Sequence, residues 1–392
     1  MTFFRPWLAL WLWIPCSVCA SPLPGKEKAS PSGTTLPSAP PSGKGENQPE
    51  SDDASQRAAD PQIIKFATLA PEGSTWLKVM NDLNAELQAR TAGRVRFKIY
   101  AGGVQGDETD VVKKIRIGQL QAAGFTGVGL GQIAPEVRIL DAPWLFQDDA
   151  EADFIHQAFA QDLSAAIEKG GYVLLGWTEL GWVYVFSRKP INSPEDMKSA
   201  KMWVWEGDPI AQAAYQAIGV TPRPLSVVDV MSSLETGLID GVYGPPMGVT
   251  AMQWFRRVKH IYNVPMADSS GAVLLSKKAC AGLSAADRKI LLEVSAKHIS
   301  ALRLLSRQEN EGALLALQKQ GLILSPKPTP EVLRRYDELG RQARRKLAGK
   351  LFSADLLDRV EKALAERRAG TKGGAAPSPS AEPRPRGTTK KS

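Results

Sequence analysis

Three cysteines occur in 392 residues, and two of them, Cys16 and Cys19, fall in the first twenty positions. Once that segment is removed Cys280 stands alone, so no intramolecular disulfide can form and a packed core must hold the fold. Set in SKKACAGLS, Cys280 reads as a buried structural residue rather than a reactive thiol. Histidine is equally scarce: His156, His260 and His298 lie far apart and match no HExxH or Cys/His spacing, which leaves a zinc site without a basis. His298 falls among apolar residues and reads as a core histidine. No GxSxG elbow and no Walker loop occurs. Past the start of the chain, no apolar run approaches the roughly 20 residues of a spanning helix. The acids Asp107, Glu108 and Asp110 are dense enough to suggest a metal cluster, but their place in the first turn of a helix reads as capping.

What is present is ordered from end to end. Residues 1–20, MTFFRPWLALWLWIPCSVCA, carry Arg5, an apolar run and a small-residue ending, the pattern of a secretory signal peptide. Cys16 and Cys19 leave lipid anchoring open, although their preceding residues fit that pattern poorly. Residues 21–61 are rich in Pro, Ser, Gly and charge and read as a disordered tether. Residues 369–392 form a second such tail, with Lys372, Arg384, Arg386, Lys390 and Lys391 against Glu382: five minus one is +4, half of the formal +8. The basic balance is therefore largely a property of that tail. No interleaving of bases with aromatics on a folded face supports nucleic-acid binding.

Between the tails lie some 300 residues, more than one core usually holds, so two lobes are expected. The first is drawn over residues 62–182 plus about 270–311, the second over 183–269 plus about 312–368. IIKFAT (63–68) reads as a buried strand, Ser74 as a helix N-cap, and Trp76, Met80, Leu83 and Leu87 as one helical face. RVRFKIY (94–100) alternates as a half-buried strand. A helix over 106–118 and a small-residue strand over 120–127 follow. The second lobe repeats the grammar: strand KMWVW (201–205), a helix capped by Asp208 and opened by Pro209, a helix started by a Ser226/Asp229 capping box, and strand LIDGVYGPP (238–246). Ser284 to Gln320 reads as one long helix or two consecutive ones, with Ile290, Val294, His298, Ala301 and Leu305 on its inner face, long enough to bridge both lobes. GLGQIA (129–134) formally fits a dinucleotide fingerprint, with Asp148 and Asp149 downstream, but Pro135 falls where the phosphate-binding helix should continue. An exported, two-lobed chain without catalytic apparatus is suited to closing on a solute.

The segments FATLAPEGSTW (66–76), YAGGVQGDETDVVKKIRIGQLQAAGFTGVGL (100–130), SRKPINSPEDMKSAKMWV (187–204), GVTPRPLSVVDVMSSLETGLIDGVYGPP (219–246) and the long helix together resemble the DctP-like extracytoplasmic solute receptors of tripartite ATP-independent periplasmic (TRAP) transporters. The resemblance covers about 300 residues in order. It implies an α/β fold of two lobes, the type II-like periplasmic binding protein architecture, with a long helix spanning both. It further implies a periplasmic receptor, not an enzyme, needing no cofactor. Such a receptor captures a small solute in the interlobe cleft and delivers it to an ion-gradient-driven TRAP permease, as a monomer or homodimer.

Trp203 stands where most of the family places the arginine that forks onto a solute carboxylate, and Val183 aligns with a second arginine of sialic-acid-type relatives. Burying a carboxylate without a counter-charge costs several kcal/mol. The resemblance therefore disfavours a simple C4-dicarboxylate or sialic acid and favours an aromatic, apolar or cationic solute. Glu206 follows Trp203 closely and is suited to an ammonium or hydroxyl, and residue-by-residue transfer adds Thr126, Tyr243, Gly244, Leu69 and Trp182 as expected cleft residues. Trp205, two positions from Trp203, is expected on the same side of the strand. The alternatives kept open are a periplasmic carrier or sensor of lipid or other hydrophobic ligands and, less favoured, a nicotinamide-dependent oxidoreductase.

Overall fold

The computed structural model describes residues 61–373; the segments expected to be a signal peptide (1–20), a tether (21–61, but for its last residue) and most of a basic tail (369–392) lie outside the described residues. In chain order the first elements are β1 (Gln62–Ala67), α1 (Thr75–Arg90), β2 (Val95–Tyr100), α2 (Glu108–Arg116), β3 (Ala122–Thr126), α3 (Gly127–Ile133), α4 (Asp149–Ala158), α5 (Ala160–Lys169) and β4 (Tyr172–Ser187). Then come β5 (Trp203–Trp205), α6 (Pro209–Ile218), β6 (Arg223–Leu225), α7 (Val230–Thr236), β7 (Gly241–Gly244), α8 (Pro246–Ala251) and β8 (His260–Ser276). The chain closes with α9 (Lys277–Ala281), α10 (Ala285–Lys319), β9 (Ile323–Leu324), α11 (Pro330–Leu347) and α12 (Ala354–Gly373).

The main sheet has seven strands in the order β2-β1-β3-β8-β4-β7, with β9 added to β8. The 17-residue β8 pairs with β3 through Gly271–Leu275 and with β9 through His260 and Ile261, so one strand serves both lobes. Its antiparallel partner β4 does the same, ending against β7. Bulges between Glu179 and Gly181 and between Val183 and Val185 bend this pair where it passes from lobe to lobe. Gly181 has φ +98°, and a Cβ there would sit 2.5 Å from Asn310 Nδ2, so only glycine fits the bend.

Local signals account for most boundaries. Ser74 accepts from Leu77 N, and Met80, Leu83 and Leu87 are buried below it. Asp208 accepts from Ile210 N, and Gly219 and Gly237 stop their helices at φ +85° and +72°. The expected Ser226 cap is not made; that hydroxyl donates to Asp107 instead. α10 is a single helix of 35 residues, about 52 Å at 1.5 Å per residue. Its buried stripe is Leu291, Val294, Ile299 and Leu302, whereas Ala301 is exposed and Leu305 largely so. His298 is not a core histidine: it is half-buried, with Nε2 2.8 Å from Glu86 Oε2. Apolar residues occur on several sides of this helix, so spacing alone did not select the inner face. Asn310 on the same helix donates to Leu180 O and accepts from Met247 N, tying β4 at its bend to α8. Cys280 is free and buried.

α12 departs from the expected lobe boundary. Leu356, Leu357, Val360 and Leu364 pack with Ile155, Leu163 and Ile167 of the first lobe, although residues up to 368 were assigned to the second. Arg368 reinforces that docking through Glu151 Oε1 and Oε2 at 2.7 and 2.6 Å.

Candidate functional site

The ends of β3, β5 and β7, the bent middle of β4 and β8, and the second half of α10 surround a cavity of about 710 Å³. One wall is aromatic. The Trp203 ring stacks on Tyr243 at 4.9 Å between centroids and 24° between planes, meets Trp254 edge-on at 5.4 Å, and lies 6.1 Å from Trp205. Both tryptophans of β5 are buried and line the cavity, on one side as strand alternation requires. Each indole N–H has a partner: Trp203 Nε1 donates to Leu225 O at 3.0 Å, and Trp205 Nε1 to the Asp107 carboxylate at 3.0 and 3.1 Å.

Asp107 does not cap its own helix. It accepts from Trp205 Nε1, Ser226 Oγ and Val227 N, all from the second lobe, and so joins the lobes beside the cavity. Its neighbour Glu108 turns inward and accepts from Thr126 N, Thr126 Oγ1 and Gly129 N at 2.8, 2.9 and 2.7 Å. Burial nevertheless pushes the Glu108 carboxyl up to about 7 against those donors. Gly129 N, which a dinucleotide phosphate would require, is thus held by a carboxylate, and the GLGQIA segment is helix α3 rather than a phosphate loop.

The cavity's one base among the described residues is Arg138, with Glu72, Glu108, Asp141, Asp208, Asp268 and Glu309 as its acids. Arg138 is buried and ion-paired with two of them: Nε donates to Asp141 Oδ2 at 2.8 Å and Nη2 to Asp208 Oδ1 at 2.9 Å. Asp208, besides capping α6, accepts from Tyr243 Oη at 2.9 Å, so the aromatic wall and the ion pair are one network. Burial pushes Asp141 up to about 6 despite Arg138, and raises the Tyr243 phenol well above its ordinary value. Gly127 makes room for this network: a Cβ there would overlap Asp141 Oδ2. Among the described residues no group of three or more His, Cys, Asp or Glu is placed to hold a metal ion.

The family model of the DctP proteins, "Bacterial extracellular solute-binding protein, family 7", matches residues 66–347. The chain belongs to this family. The DctP family consists of solute-binding receptors, not enzymes, and relatives such as DctP and YiaO are periplasmic proteins. The chain is 22% identical over 310 residues to the C4-dicarboxylate-binding periplasmic protein DctP of Rhodobacter capsulatus, covering 79% of this chain and 92% of that one. It is 27% identical over 247 residues to the 2,3-diketo-L-gulonate-binding periplasmic protein YiaO of Escherichia coli K12, covering 62% and 74%. The DctP fold is seen again in the TRAP periplasmic solute-binding protein of Ralstonia eutropha H16 with bound (S)-2-acetolactate: TM-score 0.72, 23% identity, 78% of this chain and 99% of that one. The TRAP receptor of Polaromonas sp. JS666 bound to D-erythronate gives TM-score 0.70 at 22% identity, covering 76% and 98%.

Of the residues the DctP resemblance nominated, Trp203, Thr126, Tyr243, Gly244 and Leu69 line the cavity, as does Val183. Two do not. Glu206 is exposed, because the chain turns at Gly207 with φ +81° and leaves that side chain in solvent. Trp182 packs against the first-lobe core, its Nε1 donating to Asp149 Oδ1 at 2.7 Å. Arg138, Asp141 and Asp268 were not nominated. A charged residue in PEVRILDAP gives no sign from sequence that it is buried; Asp141 is at hand three residues on, but the second partner, Asp208, comes from 70 residues away.

Proposed function

We propose that this chain is the solute receptor of a TRAP system and that its solute has an aromatic or apolar body and is neutral or cationic rather than a simple organic acid. The observation that carries this reading is the pairing of an aromatic wall, Trp203, Tyr243 and Trp254, with a cavity whose base, Arg138, is already bonded to Asp141 and Asp208. Aromatic faces attract both flat apolar groups and cations. An entering carboxylate would meet an Arg138 whose charge is already balanced by Asp141 and Asp208, and would stand among like charges. The relatives named above carry organic acids in their names or structures; we read this cavity as departing from them where Trp203 replaces the family's arginine. Delivery goes to a membrane permease, in keeping with the family, and the N-terminal segment directs export.

A second reading, a carrier of lipid or another hydrophobic ligand, draws support from the volume and from Met247, Met252 and Met266 in the lining. Its buried carboxylates speak against a purely hydrocarbon guest. A thermal-shift screen separates these readings: aromatic neutral or cationic compounds should raise the melting temperature, and succinate or sugar acids should not. A shift confined to fatty acids or phospholipids would favour the carrier.

A further inference from the structure

Asp268 sits in the lobe-crossing part of β8, lines the cavity and is 3% exposed. Its Oδ1 is shut off from solvent with no hydrogen-bond partner. The groups that face it are mostly of its own sign. Asp141 approaches from the 135–141 turn, Glu179 from β4 and Asp149 from the start of α4. Arg307 of α10 is the base within reach, but its guanidinium is bonded to Asp153 and to Glu179. A buried carboxyl without a donor is costly to the fold, and such groups call for an explanation in function.

We propose that Asp268 anchors a protonated amine carried by the solute, whose apolar or aromatic body lies against the Trp203–Tyr243 wall. This rests on the receptor reading above and names its ligand class. An ammonium brings N–H donors to a carboxyl that has none, and the opposite charge that lets Asp268 ionise beside Asp141. The proton balance is definite. Burial, together with Glu179, Asp141 and Asp149, holds the Asp268 carboxyl well above the usual carboxylate range, so the empty site keeps its proton. Binding of an ammonium sends that proton to solvent and leaves a carboxylate–ammonium pair. Affinity for an amine therefore rises with pH until Asp268 ionises on its own, by up to about tenfold per pH unit.

The test is calorimetric titration of 2-phenylethylamine, 2-phenylethanol and 3-phenylpropionate, three probes of one shape and different charge, into the wild type and Asp268→Asn. The amine is expected to bind the wild type at least about tenfold tighter than the alcohol. That gap should close in Asp268→Asn. The amine's affinity for the wild type should climb with pH while the alcohol's stays flat, and the climb should be smaller in Asp268→Asn. Should that variant not fold, Asp268→Ser carries the same comparison, because Glu108 and Asp141 in the same cavity also ionise as the pH rises. Amine and alcohol binding equally at all pH would overturn the inference and leave the receptor reading standing, as would binding of the alcohol without the amine. The propionate binding tightest, or none of the three binding while succinate does, would overturn both.

Discussion

The Trp203 indole lies over the Tyr243 ring, 4.9 Å between centroids, and Tyr243 in turn donates its phenol to Asp208, the residue that caps α6 and holds Arg138. A single side chain thus couples the aromatic wall to the second lobe's core. Trp203→Ala is expected to cost about 3–5 kcal/mol of stability, as for other buried aromatic truncations, and to abolish uptake of aromatic probes. Trp203→Phe keeps a stacked ring and loses the bond to Leu225 O, so it should cost only about 1 kcal/mol beyond its lost volume and keep binding. Urea denaturation and probe titration of the two variants check this; equal loss of binding in both would show that stacking is not what the wall supplies.

Asp107 gathers three donors from the opposite lobe, Trp205 Nε1, Ser226 Oγ and Val227 N. Asp107→Ala leaves those donors to water, which favours separated lobes by about 1–3 kcal/mol. Solute affinity is expected to fall by about tenfold or more. Small-angle scattering should show a larger radius of gyration for the ligand-free variant than for the wild type. Identical scattering curves and affinities would refute a role for this carboxylate in closure.

The buried carboxyls set a pH slope of unusual sign. Glu108 rises from 4.5 to about 7 and Asp141 from 3.8 to about 6, so the folded protein binds more protons than the unfolded chain between those limits. Stability is therefore lost as pH rises from about 4 to about 7, by an amount on the order of 3 kcal/mol per group. The melting temperature should be higher near pH 5 than near pH 7.5, and Glu108→Gln should flatten the slope. A wild-type melting temperature that climbs over this range would contradict the assignment.

Gly181→Ala tests the bend between the lobes. Its φ of +98° and the 2.5 Å approach to Asn310 Nδ2 leave no room for a methyl group. A loss of about 1–3 kcal/mol is expected from the backbone strain alone. A denaturation midpoint unchanged from the wild type would mean that the bend tolerates other geometries.

Much of the frame was legible because it is written in neighbouring residues. Ser74, Asp208 with Pro209, Gly219 and Gly237 act within one turn of themselves, and β2 announces itself by alternation. What stayed hidden depends on partners far along the chain. Ser226 has every local mark of a cap, yet the carboxylate 119 residues away takes its hydroxyl. Arg138 meets Asp208 across 70 residues. The docking of α12 on the first lobe is likewise revealed only by packing. The family resemblance expects both Trp203 and Glu206 in the cleft; Trp203 lines the cavity, while Glu206 is exposed beside the glycine turn at Gly207.

Native mass spectrometry of the receptor freshly isolated from its own periplasm tests the central claim most directly, since the retained solute can be weighed and identified. The account predicts an aromatic or apolar compound that is neutral or carries an amine. A dicarboxylate or sugar acid, held in a 1:1 complex and displaced only by other acids, would contradict it.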